Sequence, residues 1–409
     1  MRDAPLGAPL MAPPADRARN VRVISASNFV TGTYNNLLQV VLQPFVVRLA
    51  GSVFALSLLQ AFANRFGGVV GSLAQLAGGH LTDRWGRKPV MVLGSTFTMG
   101  SLSLLLATAI TNWWPLLVPA FAFLGLGLLR DPASQSAVAE SVEVHGRAMA
   151  YSKALFFLIL PAAIMAFVGG ILADVFGYAL VFALSLGLEG VNLALFALVL
   201  RETLRDRTAE PWSVRGAFRL REPAVKGILI VTAADSFVWG ISLLIVYGMA
   251  VQEFGFTNAD LGVIIGVWAL VFAGAALPVG KLVTRFGSRG MIFLSESLGL
   301  PIFAGWIFAR TPTDFVLVSI LNGLTAATWV PAWQTMMSNA VPDRTRGLAI
   351  GQVTAFRGLI AFPAPLVGGF LYGFGYEAPL VTSFLGVIVV MALVLRFIHD
   401  PRPVLSPEN

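Results

Sequence analysis

The stretch Gly78–Val92, GGHLTDRWGRKPVMV, gathers His80, Asp83, Arg84, Arg87 and Lys88 between two apolar runs of membrane length. Gly86 permits a tight turn, and a short charged turn between two apolar helices is what a bilayer-crossing hairpin needs at its water-facing end. Composition agrees with that reading. Of 409 residues 56% are hydrophobic and 12% charged, 30 are Phe, and the mean hydropathy is +0.78. A soluble domain of this length is far less apolar.

Outward from the turn, mainly apolar runs of about 20 residues, enough to cross roughly 30 Å of hydrocarbon as a helix, recur twelve times. They cover 23–47, 55–80, 89–110, 114–138, 149–173, 177–200, 225–251, 260–282, 290–309, 313–338, 347–371 and 377–397. They lack the every-second-residue polarity of barrel strands. The fold class is therefore an all-α integral membrane protein with twelve transmembrane helices. Residues 1–20, rich in Pro and Ala without an unbroken apolar core, read as a disordered tail instead of a signal peptide.

The absence of Cys excludes disulfides and thiolate metal sites, and His80, His145 and His399 are scattered without metal-ligand spacing. No metal or other cofactor is expected. An enzyme is not expected either: there is no G-x-S-x-G elbow, and GAALPVGKL from Gly274 misses the spacing of a phosphate-binding loop. With an even number of spans, 22 of the 28 Lys and Arg fall on the side of the termini. The positive-inside rule then predicts a multi-pass inner (plasma) membrane protein with both termini cytoplasmic. Its net charge of +7 faces anionic lipid and requires no nucleic acid.

The turn occurs twice. GHLTDRWGRKPV from Gly79 matches GKLVTRFGSRGM from Gly280, pairing Gly79 with Gly280, Leu81 with Leu282, Arg84 with Arg285, Gly86 with Gly287 and Lys88 with Arg289. Pro132-Ala133 returns as Pro331-Ala332, and VGGILADVFGY from Val168 returns as VGGFLYGFGY from Val367. This spacing predicts two pseudo-symmetric six-helix bundles, at 21–200 and 225–398, joined by a basic cytoplasmic linker at 201–224 and followed by a cytoplasmic tail at 399–409.

Two parallel six-helix halves, each with this turn after its second helix, resemble the major facilitator superfamily of secondary transporters. The family signature G-x-L-x-D-R-x-G-R-[KR] is filled by Gly79, Leu81, Asp83, Arg84, Gly86, Arg87 and Lys88. The resemblance implies that this turn is a conformational latch favouring the outward-facing state. Asp83 would face the start of helix eleven near Ala349, and Arg87 would pair with an acid at the end of helix four, a position held by Glu140. In the second half Thr284 and Asn339 replace both acids, which predicts a weak or absent latch. Other family patterns are missing: Phe121, not Arg, precedes Gly125 by four residues, and Pro161 stands eight residues before Gly169.

A cavity wall is expected where Asn28, Thr31, Asn35 and Gln39 share one face of helix one. Thr325, Trp329 and Trp333 on helix ten would oppose it, with Trp239, Arg130 and Asp131 as further cavity candidates. Glu189 and Glu296 fall on helices six and nine, which the resemblance places at the bundle periphery, so oligomer contact or interfacial placement is expected at least as much as substrate contact. Asp235 and Arg357 lie at similar depth, about 15 and 16 Å from the cytoplasmic ends of their helices at 1.5 Å per residue. They are expected to form an ion pair, with Asp235 as the proton site. The expected function is alternating-access, proton-coupled export of a small organic or amphipathic compound by a monomer in the lipid bilayer. The alternatives are proton-coupled uptake of a polar solute, or a non-transporting sensor or lipid-handling protein on the same fold.

Overall fold

The computed structural model describes residues 14–64, 66–142, 153–154, 156–204, 223–340 and 346–399, and its regular elements are helices. Among the described residues, ten segments are long and apolar enough to cross a bilayer. They are Arg87–Thr111, Trp114–Glu140, Phe156–Phe176, Tyr178–Val199, Val225–Phe254, Asn258–Ala276, Arg285–Phe308, Pro312–Met337, Gln352–Tyr372 and Glu377–Phe397. They are the third to twelfth predicted runs. The first run is the longer, more polar helix Pro14–Ala50, which begins inside the segment read as a tail; the second is split into Val53–Phe62 and Gly68–Trp85. These are spans one to twelve below. The loops after Ala50, Thr111 and Phe176 lie on the far side, and Gly86 lies on the side of the termini.

The split in span two has a local cause. Asn64 Oδ1 accepts a hydrogen bond from the Phe66 N–H at 2.7 Å, and Gly67 and Gly68 take φ of 115° and 68°. Side-chain-bearing residues rarely adopt those angles, so the helix unwinds and restarts. Gly86, at φ 113°, both ends span two and begins span three. Its repeat partner Gly287, at φ 74°, marks the same boundary between spans eight and nine inside the continuous helix Asn258–Phe308.

Span one packs on five and six, and span three on four and six; span seven packs on eleven and twelve. The halves meet where span five lies on eight and span two on eleven. Small residues let the backbones approach closely there. A Cβ on Gly358 would sit 2.6 Å from the Phe66 carbonyl oxygen, one on Gly369 2.6 Å from Ser57 Cβ, and one on Gly262 2.9 Å from the Ala166 carbonyl oxygen.

Polar contacts join the halves on the far side. Gln43 Oε1 accepts from the Gly248 N–H at 3.0 Å, Gln252 Oε1 from the Val53 N–H at 3.2 Å, and Arg48 donates to the Phe256 carbonyl at 3.2 Å. Asp174, at the end of span five, accepts from the backbone N–H of Asn258 at 3.2 Å and of Ala259 at 2.7 Å. A carboxylate on those orphan donors caps span eight and offsets its terminal dipole.

Candidate functional site

The signature turn is built around Arg87, whose guanidinium is nearly buried. It donates to Glu140 Oε1 at 2.6 Å and to the Thr82 carbonyl at 2.8 Å, and reaches Asp83 Oδ1 at 3.3 Å. Asp83 itself is 59% exposed at its side chain, Arg84 is exposed and Lys88 half-buried. Gly79 borders open space. Glu202, which carried no sequence signal, accepts from the backbone N–H of Arg87 at 3.0 Å and of Lys88 at 3.1 Å, capping span three. Thr203 donates to Glu140 Oε2 at 2.6 Å, so the start of the linker docks on the turn. The side chains of Ala349, Thr284 and Asn339 lie outside the described residues.

Within the first half, Arg130 and Glu189 form a buried ion pair, which corrects two expectations. Glu189 is 0% exposed rather than peripheral. Arg130 is committed to Glu189 Oε1 at 2.6 Å and to the Tyr34 hydroxyl at 2.7 Å, so it is a strut between spans instead of a cavity charge. Ser95 donates to Glu189 Oε1, and Asn192 Nδ2 reaches both Glu189 Oε2 at 3.0 Å and Thr31 at 2.9 Å. Spans one, three, four and six thereby share one network that satisfies both charges, as burial demands. Asp131 accepts from Gln75 Nε2 at 3.3 Å.

The second half holds a different cluster. Asp235 on span seven and Glu296 on span nine are 7% and 1% exposed, so Glu296 is not peripheral either. Trp239 Nε1 donates to Glu296 Oε2 at 3.4 Å, and its ring packs on Phe303 at 4.9 Å between centroids, so Trp239 belongs to the packed core and not to a cavity wall. Arg357 donates to the Ser236 hydroxyl, which stands 3.5 Å from Asp235 Oδ2. The expected Asp235–Arg357 pair is thus relayed through Ser236. The guanidinium lies 5.0 Å from the Trp329 ring centroid and 5.1 Å from that of Phe66, on the opposite half. Both distances are within cation–π range.

The amide face of helix one divides. Asn28 donates to the Ala154 carbonyl at 3.0 Å and Thr31 accepts from Asn192, whereas Asn35 and Gln39 are exposed. On span ten Thr325 is 7% exposed and its hydroxyl donates to the Leu321 carbonyl at 3.1 Å. Trp329 and Trp333 are half-buried and stack at 5.6 Å with 15° between planes.

A polytopic helical chain with repeated halves, meeting along glycine-lined seams and carrying this charged turn, is a secondary transporter. The family model described as Major Facilitator Superfamily matches residues 24–314 and 228–409, and the chain belongs to that superfamily. It is 25% identical over 394 residues to the multidrug resistance protein MdtG of Enterobacter lignolyticus (strain SCF1), covering 94% of this chain and 91% of the relative. To MdtG of Salmonella typhimurium it is 26% identical over 373 residues, covering 88% and 91%. Among solved structures, the human organic anion transporter MFSD10 (TETRAN) superposes with a TM-score of 0.69 at 17% identity, covering 94% of this chain and 100% of that one. A bacterial homolog of the human lysosomal transporter Spinster, in an inward-facing and occupied conformation, gives 0.71 at 14%, covering 94% and 97%.

Proposed function

We propose that the chain is a proton-coupled exporter of small organic or amphipathic compounds, working as a monomer in the inner membrane with both termini cytoplasmic. The similarity to multidrug resistance proteins carries this reading, because it spans 94% of this chain and 91% of the relative rather than one half or one motif. Residues 21–200 and 225–398 act as the two bundles, and 22 of the 28 basic residues fall in the tails, the linker and the loops of the cytoplasmic side. The far-side hydrogen bonds of Gln43, Arg48, Asp174 and Gln252 suit a state closed to the outside. Exposed Asn35 and Gln39 with half-buried Trp329 and Trp333 supply amides and aromatic faces, which suit an amphipathic organic molecule. Purified protein in proteoliposomes with an imposed pH gradient, screened with a panel of fluorescent organic dyes, tests the proposal. Gradient-dependent movement of a dye against its concentration is expected. Dye binding or lipid flipping without dye movement overturns transport in favour of the sensor or lipid-handling reading.

A further inference from the structure

The far-side end of span five repeats the signature turn, inverted in the membrane. GGHLTDRWGR from Gly78 and GGILADVFGY from Gly169 align without a gap, pairing Gly78 with Gly169, Gly79 with Gly170, Leu81 with Leu172, Asp83 with Asp174 and Gly86 with Gly177. The backbones agree as well: Gly86 takes φ 113° and ψ 164°, Gly177 takes φ 82° and ψ 167°, and each ends one span and begins the next. One turn lies on the side of the termini and the other on the far side, as two three-span units of opposite direction within one half require. Their surroundings differ. A Cβ on Gly79 would meet open space, and Asp83 is ion-paired with Arg87 of its own turn. A Cβ on Gly170 would overlap the Asn258 carbonyl oxygen of the other half. Asp174 accepts from the Asn258 N–H at 3.2 Å, the Ala259 N–H at 2.7 Å and Asn258 Nδ2 at 2.5 Å. Tyr178, in the position of Arg87, donates to Asn258 Oδ1 at 3.1 Å.

We infer that Asp174 pins the start of span eight while the outside is closed, and that the outside opens only when this carboxylate leaves. This rests on the transport reading above and deepens it by giving the closed side a charged lock. The local chemistry explains both the hold and its release. The Thr257 hydroxyl accepts from the Asp260 N–H at 3.1 Å and Asp260 accepts from the Thr257 N–H at 2.9 Å, so span eight caps its third donor by itself. Its first two donors, on Asn258 and Ala259, are left to a carboxylate from the opposite half. A negative charge there also complements the positive end of the helix dipole. Asp174 is exposed, so water takes its place on those donors when the halves part, and no buried charge is stranded. A contact of that size biases an equilibrium without freezing it. The second half has no matching acid in either turn: Thr284 stands in one, and GGFLYGFG from Gly368 holds none. The start of span two is held instead by the uncharged Gln252 at 3.2 Å.

Labelling of a single cysteine introduced at Ser57 reads the opening, because Ser57 is 0% exposed beside Gly369 at the far-side end of the seam between spans two and eleven. Full-length Ser57→Cys protein in lipid nanodiscs, treated with a water-soluble maleimide, supplies the reference rate. Adding Asp174→Asn should raise that rate about five-fold, the effect of one charge at a helix start. Asp260→Asn weakens the cap of the same helix from within the second half, and Asp83→Asn removes the matching carboxylate of the other turn. Neither should raise the rate. A rate that stays at the reference in Asp174→Asn, or an equal rise in Asp260→Asn or Asp83→Asn, overturns the pin. Should Asp174→Asn fail to fold, Asn258→Ala removes a side-chain donor from the partner side of the contact and should also raise the rate; an unchanged rate there overturns the pin as well. Faster labelling in Asp174→Asn, with no dye moved by the wild type in proteoliposomes, leaves the pin standing and removes the transport reading. Dye movement with unchanged labelling removes the pin alone.

Discussion

The two halves solve the burial of charge in opposite ways. In the first, Arg130 meets Glu189 at 2.6 Å, with Tyr34, Ser95 and Asn192 filling the remaining positions. In the second, Asp235 and Glu296 are both buried, and Arg357 donates to Ser236, whose hydroxyl stands 3.5 Å from Asp235 Oδ2, while resting on Phe66 and Trp329. The repeat register makes the contrast informative: Glu296 stands where the first half has Ser95, Trp329 where it has Arg130, and Val387 where it has Glu189. The same scaffold thus carries a completed ion pair on one side, fixing four spans to each other. On the other, the cation has been moved to a span that touches the opposite half. A satisfied buried pair resists rearrangement, whereas a cation shared with a neighbouring bundle responds when that bundle moves.

The contrast can be broken most directly at Arg130. Arg130→Ala leaves Glu189 buried and unpaired, and the expected loss is about 3–5 kcal/mol, measured as a large fall in the thermal unfolding midpoint in detergent. Glu296→Gln should change that midpoint far less, because the amide keeps an oxygen that can accept from Trp239. Equal losses in both halves would erase the distinction. Phe66→Ala removes one face of the cation–π sandwich, a contact of about 1–2 kcal/mol. The expected result is a several-fold faster labelling of a single cysteine introduced at Ser57, which is buried against Gly369 in the seam; the chain has no native Cys.

Smaller effects sharpen the picture at the turn. Glu202→Ala uncaps span three and should cost about 1 kcal/mol, read in the same unfolding assay. Asp83→Asn should change stability least, by about 0–1 kcal/mol, since an exposed ion pair contributes little. Arg87→Ala, which strands Glu140, should exceed it. A larger loss from Asp83 than from Arg87 would show that the partner of the turn lies elsewhere.

The apolar runs, the turn at Gly86 and the repeat could be read from the chain because each rests on local chemistry: run length, a glycine at positive φ, a fixed spacing. Side-chain partners across spans could not. Which way Glu189 or Glu296 faces depends on the rotation of its helix about its axis, and packing sets that rotation. Asp235 and Arg357 could be matched in depth from helical rise alone, but Ser236 between them and Phe66 across from them could not. Arg130 and Glu189 left a usable signal, since opposite charges in apolar runs of one bundle need each other. Glu202 left none; its role comes from the fold of the chain after Leu200, which returns it to the start of span three.

The glycine contacts between spans two and eleven and between five and eight give the molecule its own calliper. Gly358, Gly369 and Gly262 bring helices together at the thickness of a backbone, so a methyl group at any of them acts as a shim of known size. A shim in a joint that stays shut is felt as strain, and one in a joint that opens every cycle shifts the resting position. Alanine placed at each position in turn would therefore map which stretches of the seam part during turnover and which serve as the pivot.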